Sequence, residues 1–464
     1  MSALQCDVSL VLQKLIEEQL IGPDSAPTIG ERNHDAPQLM AINYDLDAID
    51  EAFHKLESSF PSYFQHRFAV KSCPLSFFLK KALHFGLGLE CASLTEVQHA
   101  LHLGCPGENI VFDSPCKTVY DIRFALQHDV LINADNFVEL ERISQAIMEM
   151  ELIPEVTPLW AGGGSKGLPR IGLRINTLVG AGSVAMLSVS TTTSKFGIPL
   201  TAENRLKIIS SFVKFPWLSA LHAHVGSQGC DLSLLTQGAK TLVTLANEID
   251  AAVQSNQVQV LNIGGGLSVN YANETVRPTY VDYASALRLK VPELFTGHRV
   301  VMTEFGRSLV AKTAWFCSVA EYVKNARSDL PTAIIHAGSD LFVRPCYRPD
   351  LFHHEIEVYS KEGKSTTTDR DMKIQNISGP LCFGGDVLAR KRNMPTMNQG
   401  DYVVIRDVGS NTMSLFSRHC SRLAPIIYGY RKEKRSDEVA GSTKYQIKLL
   451  KERETPEQVY NFWT

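Results

Sequence analysis

The sequence predicts an α/β architecture, a TIM-type (β/α)8 barrel followed by a separate all-β domain. Three observations carry that expectation. Between residues 68 and 305, eight short apolar segments alternate with stretches of helical period. The run covers roughly 240 residues, the size of a TIM barrel; the alternative, an open doubly wound sheet, would be unusually long at eight parallel strands. Beyond about residue 310 the helical period stops, and alternating or β-branched segments separated by turns take over.

The elements come in chain order. Residues 1–45 hold an amphipathic helix, MSALQCDVSLVLQKLIEEQL, and a Pro/Gly/Asp-rich connection, GPDSAPTIGERNHDAP, expected to pack on the β domain. The helix carries acids and has no basic leading segment, so it does not read as a signal peptide. The barrel is assigned to residues 46–310, with strands at 68–70, 87–91, 109–112, 131–134, 171–175, 221–225, 260–264 and 300–305. Ser93 with Glu96 three residues on marks a capped helix start, and Gly104 its end. Asp135 precedes FVELERISQAIMEM, while ENRLKIISSFVKF and SLLTQGAKTLVTLANEIDAAV fill later gaps. The β domain is assigned to residues 311–464, through AWFCSVAEYV, TAIIHAG, HHEIEVYS, DYVVIRDV and APIIYGYR, with residues 361–373 as a polar loop.

Composition narrows the function. A net charge of −3 points to neither nucleic acid nor an acidic membrane as partner. No apolar run approaches the ~20 residues that a membrane span needs. Ten cysteines without a C-x-x-C pair argue against a structural zinc site and a secreted disulfide framework, leaving a reducing, cytoplasmic setting.

In a TIM barrel the chemistry sits at the C-terminal ends of the strands. There the sequence places Lys71, Glu90, Arg174, His224 with Ser227 after it, the run Gly264, Gly265 and Gly266, and Glu304 with Gly306 and Arg307. The loops after strands 7 and 8 are the usual phosphate site of this fold, and glycine lets backbone N–H groups approach phosphate oxygens. A phosphate beside a lysine and an acid suggests pyridoxal 5'-phosphate, with the lysine forming a Schiff base and the acid bonding the pyridinium nitrogen. Each signal is weak alone; their joint placement at strand ends makes the argument. AGGGSKG (161–167) lacks the spacing of a nucleotide-binding P-loop, and the adjacent His353 and His354 would face opposite sides of a strand, a poor metal pair.

These residues lie in blocks that resemble the fold-type III pyridoxal-phosphate decarboxylases, the family of diaminopimelate, ornithine and arginine decarboxylases. FAVKS (68–72), LECASLTEVQ (89–98), SKFGI (194–198), HVGSQ (224–228), NIGGGL (262–267), TEFGR (303–307), GPLCFGGD (379–386) and GDYVVIRDVGSNTMS (400–414) appear in the family's order. The resemblance implies a barrel of the alanine-racemase type. It implies that Lys71 binds the cofactor, His224 stacks on its ring, Ser227 and Gly264 to Gly266 hold its phosphate with Arg307 nearby, and Glu304 bonds the ring nitrogen. Glu90, Arg174, Gly306 and Asn411 join the expected cofactor set, and Lys195, Arg344, Arg348, Phe383 and Asp386 the substrate set. It further implies a head-to-tail homodimer in which Cys382 reaches the partner's site as catalytic acid. Glu304 favours decarboxylation, because the family's racemases place an arginine there.

The chain departs from the family at specificity positions. Phe383 stands where relatives carry an aspartate or glutamate that binds a distal amine. Either Arg344 or Arg348 matches the arginine that reads a distal carboxylate in the diaminopimelate type. Asn411 replaces a tyrosine, with Arg418, His419 and Arg422 close behind. The reading is therefore an amino-acid decarboxylase with an uncommon substrate, neither ornithine nor a standard diamino acid. A racemase on the same cofactor and a non-catalytic regulator of the same fold are the alternatives.

Overall fold

The computed structural model describes residues 8–25, 36–152, 168–433 and 444–464. The chain divides into two compact units: Phe53–Val269 with Thr275–Ser308, and Met1–Ala52 with Asn270–Glu274 and Leu309–Thr464.

The first unit is a closed barrel of parallel strands: Phe64–Ala69, Gly88–Cys91, Ile110–Phe112, Leu131–Ala134, Ile171–Asn176, Leu218–His222, Val260–Asn262 and Val300–Thr303. Pairing of the fourth with the fifth and of the eighth with the first completes the ring, and the two-residue strand Ile198–Pro199 adds to the fifth. The eight expected strands are all present, with shifted bounds. The first begins at Phe64, because its polar residues hide it: His66 Nδ1 meets Thr303 Oγ1 at 2.7 Å and Arg67 donates to Gln65 Oε1 at 3.0 Å. The sixth, seventh and eighth end before His224, Gly264 and Glu304, which lie just beyond the strands.

Helix starts show the same mixture. Ser93 accepts from Glu96 N at 3.2 Å, but the Glu96 carboxylate reaches Ala92 N, so the box is not closed on Ser93 itself. Asn136, not Asp135, caps helix Phe137–Glu149 by accepting from Glu139 N at 2.9 Å. Asp135 instead accepts from Gly197 N at 3.0 Å.

Side-chain alternation builds the barrel interior in tiers. Val111, Leu131, Ala220, Val260 and Met302 form a buried apolar tier. Two residues further along the same chains stand Asp113, Asn133, His222, Asn262 and Glu304, all buried. The apolar tier is thus the floor of a polar one.

The second unit is a nine-stranded sheet, in which Met40–Asp45 lies between Ala314–Lys324 and Ile426–Lys432. Helix Val8–Glu17 buries Val8, Val11, Leu12 and Leu15 in a cluster with Trp315, Tyr402, Tyr428 and Tyr430 of this sheet. Strands Met372–Ser378, Val387–Pro395 and Tyr445–Lys451 escape the sequence pattern. Val387–Pro395 and Tyr445–Lys451 end the main strand order and carry the lysines and arginines that suit exposed edges, which blurs their apolar alternation. AGGGSKG and the middle of the N-terminal connection lie outside the described residues.

Candidate active site

Lys71 sits in the tight turn Val70–Ser72 that ends the first barrel strand. The turn is fixed by Ser72 Oγ donating to Ala69 O at 2.7 Å and Ala69 N donating to Phe305 O at 3.0 Å. Gly306 permits this, since a Cβ there would lie 2.6 Å from Ser72 Oγ. The Lys71 amine donates to both carboxylate oxygens of Glu90. About half of the Lys71 side-chain surface is accessible, while Glu90 is buried. Burial pushes the Glu90 acid up to about 7, against the pull of Lys71. Burial works against a charged Lys71 amine, but Glu90 and Glu304 outweigh it and raise its pKa.

The polar tier lies beside this pair. Glu304 Oε1 accepts from Asn262 Nδ2 at 2.6 Å, and its Oε2 lies 3.5 Å from His222 Nε2. Burial alone would raise the Glu304 acid; His222, with support from Asp113 and Lys71, instead holds it well below the ordinary carboxylate range. This is a buried carboxylate kept ionised, the state needed to bind a protonated ring nitrogen.

The glycine run is shaped for close backbone approach. Gly264 and Gly266 have φ of 67° and 99°. A Cβ on Gly265 would lie 2.1 Å from Glu304 O, and one on Gly266 would lie 2.1 Å from Gly226 O. Gly265 N donates to His224 Nδ1 at 3.1 Å, so a neutral His224 carries its proton on Nε2. Burial pushes the His224 pKa down to about 3, leaving a neutral ring face. Across from the run, Arg307 Nη2 donates to Ser227 Oγ at 3.2 Å. Arg174 lies with its guanidinium 4.6 Å from the Phe196 ring centre and 3.9 Å from Asp135; exposed Lys195 lies over the same ring at 5.0 Å.

An amine beside a carboxylate, a glycine cradle without Cβ atoms, an arginine–serine pair, a neutral imidazole and a deep ionised carboxylate together fit a phosphorylated pyridine aldehyde. The barrel brings together Lys71, Glu90, His224, Ser227, Gly264 to Gly266, Glu304, Gly306 and Arg307. Sequence reasoning missed Asp113, Asn133, His222 and Asn262. The signal was available for two of them: on an alternating strand, the residues two before His224 and Gly264 share their face.

The remaining candidates belong to the second unit. Cys382 is exposed. Phe383 stacks on Tyr347, with ring centres 5.2 Å apart and planes 17° apart. Asp386 is buried; its Oδ1 accepts from Ser339 N at 2.5 Å and its Oδ2 from Leu381 N at 2.8 Å. Both its oxygens are thereby engaged in holding the loop that carries Cys382 and Phe383, so the geometry gives Asp386 a loop-anchoring task where a substrate contact was expected. Arg348 forms a two-point pair with Asp350 at 2.9 and 2.6 Å, so its charge is already met. Arg344 lies with its guanidinium 5.5 Å from the Phe352 ring centre. Asn411 adopts a left-handed backbone, φ 55°, and its amide donates to Ser410 Oγ at 2.6 Å.

Comparison with known proteins gives a consistent picture. The family described as "Pyridoxal-dependent decarboxylase, pyridoxal binding domain" matches residues 46–311. The chain is similar to the diaminopimelate decarboxylase of Campylobacter jejuni, 27% identical over 383 residues that cover 82% of this chain and 87% of that one. It is also similar to a probable chloroplastic diaminopimelate decarboxylase of Oryza sativa subsp. japonica, 29% identical over 365 residues, 78% of this chain and 68% of that one. Among solved structures, diaminopimelate decarboxylase from Helicobacter pylori complexed with L-lysine shares the fold, with a TM-score of 0.75, 23% identity, and coverage of 91% of this chain and 96% of that one.

Proposed function

The chain belongs to the pyridoxal-dependent decarboxylases, and from that premise we propose that it removes the α-carboxylate of an amino acid whose side chain does not present a distal ammonium to Phe383. The family membership makes it a carboxy-lyase that uses pyridoxal phosphate.

When bound, pyridoxal phosphate supplies an aldehyde that captures an amine and a pyridinium ring that accepts the electron pair left by departing CO₂. In the proposed arrangement Lys71 holds the cofactor covalently, and Gly264 to Gly266, Ser227 and Arg307 hold its phosphate. Glu304 bonds the ring nitrogen and keeps a proton there. His224, neutral and oriented by Gly265 N, packs on the ring face. Glu90, which meets the Lys71 amine through both oxygens, would hold that amine and exchange a proton with it when it is not bound to the cofactor. Cys382 would donate the proton that takes the place of CO₂ on the α-carbon, acting from a second copy of the chain in a head-to-tail homodimer. The proposed setting is cytoplasmic, in keeping with described cysteines that are all free thiols. Among the described residues, no helix is long and apolar enough to cross a membrane.

The single observation that carries the reaction type is the buried carboxylate of Glu304, held by Asn262 in the polar tier of the barrel. Substrate class rests on the Phe383–Tyr347 stack: an aromatic face offers a distal ammonium a weaker hold than the carboxylate that relatives carry there. A second reading, diaminopimelate itself, is favoured by the names of the relatives.

CO₂ release should be measured from a panel containing meso-diaminopimelate, lysine, ornithine, arginine, glutamate and apolar amino acids. Release from an acidic or apolar amino acid supports the proposal, and release from diaminopimelate alone supports the second reading. Inverted amino acid without CO₂ would sink both. Loss of the protein's visible colour on borohydride treatment checks the covalent cofactor link.

A further inference from the structure

The buried trio Asp113, His222 and Glu304 does more than fill the barrel. His222 Nδ1 lies 3.3 Å from Asp113 Oδ1, across the barrel, and its Nε2 lies 3.5 Å from Glu304 Oε2. The ligating atoms of all three groups fall within 4.8 Å of one another. Asn133 Nδ2 donates to Asp113 Oδ1 at 2.8 Å, and Asn262 Nδ2 donates to Glu304 Oε1 at 2.6 Å. The two asparagines therefore fix the carboxylates from outside, while the imidazole stands between them, both its nitrogens buried and close to a carboxylate oxygen without a formed hydrogen bond.

A neutral imidazole has one N–H and can donate to one carboxylate; an imidazolium can donate to both. With a neutral ring, the trio would bury either two negative charges at close range or a carboxyl that has taken up a proton, and one ring nitrogen would be left without a carboxylate to donate to. We propose that His222 is an imidazolium bridging Asp113 and Glu304, and that His222 and Asp113 are positioning residues that keep Glu304 ionised and aimed at the cofactor ring nitrogen. This rests on the reading of Glu304 given above.

The electrostatics of the site run the same way. Burial opposes charge on His222, yet Asp113 and Glu304 raise its pKa above the ordinary value. Burial raises the Asp113 acid to about 6, against the pull of His222. Burial thus raises the Asp113 acid while His222 and its other partners depress Glu304, so the trio favours the anion on Glu304. The other charged groups near the trio are Arg174, whose charge opposes the imidazolium, buried Arg67, which interacts with Glu304, and the Lys71–Glu90 pair. His224, two residues on and just past the strand end, is held neutral by burial.

The test uses full-length protein labelled with ¹⁵N-histidine, with and without pyridoxal phosphate, and His222→Gln to assign the signal. Nitrogen shifts followed from pH 5.5 to 9 should show an imidazolium at His222 with a midpoint above the ordinary histidine value. Asp113→Asn should lower its midpoint by a pH unit or more. In the loaded enzyme, Asp113→Asn should cut kcat about tenfold with little change in KM, and move the pH profile of the visible band. The Asp113→Asn/His222→Gln double variant should be no worse than His222→Gln alone, since the two act as one unit. A neutral His222 throughout, in wild-type protein folded by circular dichroism, would overturn the bridge. So would an Asp113→Asn variant, equally folded, with an unmoved midpoint. Glu304→Gln separates the two levels: if it changes neither cofactor affinity nor the visible band, the positioning role falls with the reading of Glu304, whatever His222 does.

Discussion

The two units organise their functional residues in opposite ways. In the barrel, every polar group at the site stands on a strand or within a few residues of its end, and two-residue alternation dictates which way the strand-borne ones face. In the β unit, Cys382, Phe383, Arg344 and Asn411 stand on turns and a five-residue helix, and their placement depends on tertiary anchors such as Asp386. Strand-borne groups inherit precision from the backbone ladder. Loop-borne groups need a dedicated buried partner, and are freer to change. That division suits an enzyme whose cofactor chemistry is held fixed and whose substrate preference varies.

The comparison can be broken at either end, most severely in the barrel. Lys71→Ala should lower kcat by at least about a thousandfold while the far-ultraviolet dichroism stays unchanged. Substantial residual CO₂ release would mean that the barrel rim is not the reaction centre. In the β unit, Asp386→Ala should destabilise the protein by about 2–4 kcal/mol, because it strands the buried N–H groups of Ser339 and Leu381. Chemical denaturation of the protein without cofactor would measure this. A variant of native stability that has lost only substrate affinity would return Asp386 to the substrate set. Phe383→Glu should raise kcat/KM for a diamino acid about tenfold, and an unchanged preference across the panel would remove Phe383 as selector.

The smallest effect contrasts two carboxylates of one barrel. The Glu90 acid is raised from 4.5 to about 7, so between those values the folded protein holds a proton that the unfolded chain releases. Its contribution to stability therefore falls as pH rises through that window. Glu304 is depressed and has the opposite sign: its contribution is present above 4.5 and is lost as pH falls through its lower folded value. Urea midpoints at pH 5 and 7.5 should show wild-type protein losing on the order of 1 kcal/mol more than Glu90→Gln over that rise. Equal slopes would show that Glu90 and Lys71 behave as a fixed ion pair.

Legibility in the sequence divides along the same line. Apart from the polar start of Phe64–Ala69, the barrel strands announce themselves because both of their faces are buried. Lys71, Glu90, His224 and Glu304 are readable because each stands at or just past the C-terminal end of such a strand. Asp113 escapes because it comes after a three-residue strand and looks like a loop acid; His222 escapes because the glycine-bearing motif HVGSQ points to the histidine two places later. Asp386 shows the limit in the other direction. An acid near a substrate motif reads as a contact, and only the hydrogen bonds from Ser339 and Leu381 reveal an anchor. The charged edge strands of the β unit are hidden by the lysines and arginines that keep such edges from pairing with other molecules.

The central place of Met40–Asp45 has a consequence for biogenesis. Its two neighbours, Ala314–Lys324 and Ile426–Lys432, leave the ribosome only after the entire barrel has been made. The strand's interior, Ala41 to Tyr44, is buried in the finished sheet, so it waits through most of translation with both hydrogen-bonding edges open. Nascent chains stopped short of residue 426 should therefore be clients of chaperones and prone to aggregate, even where the barrel has already closed.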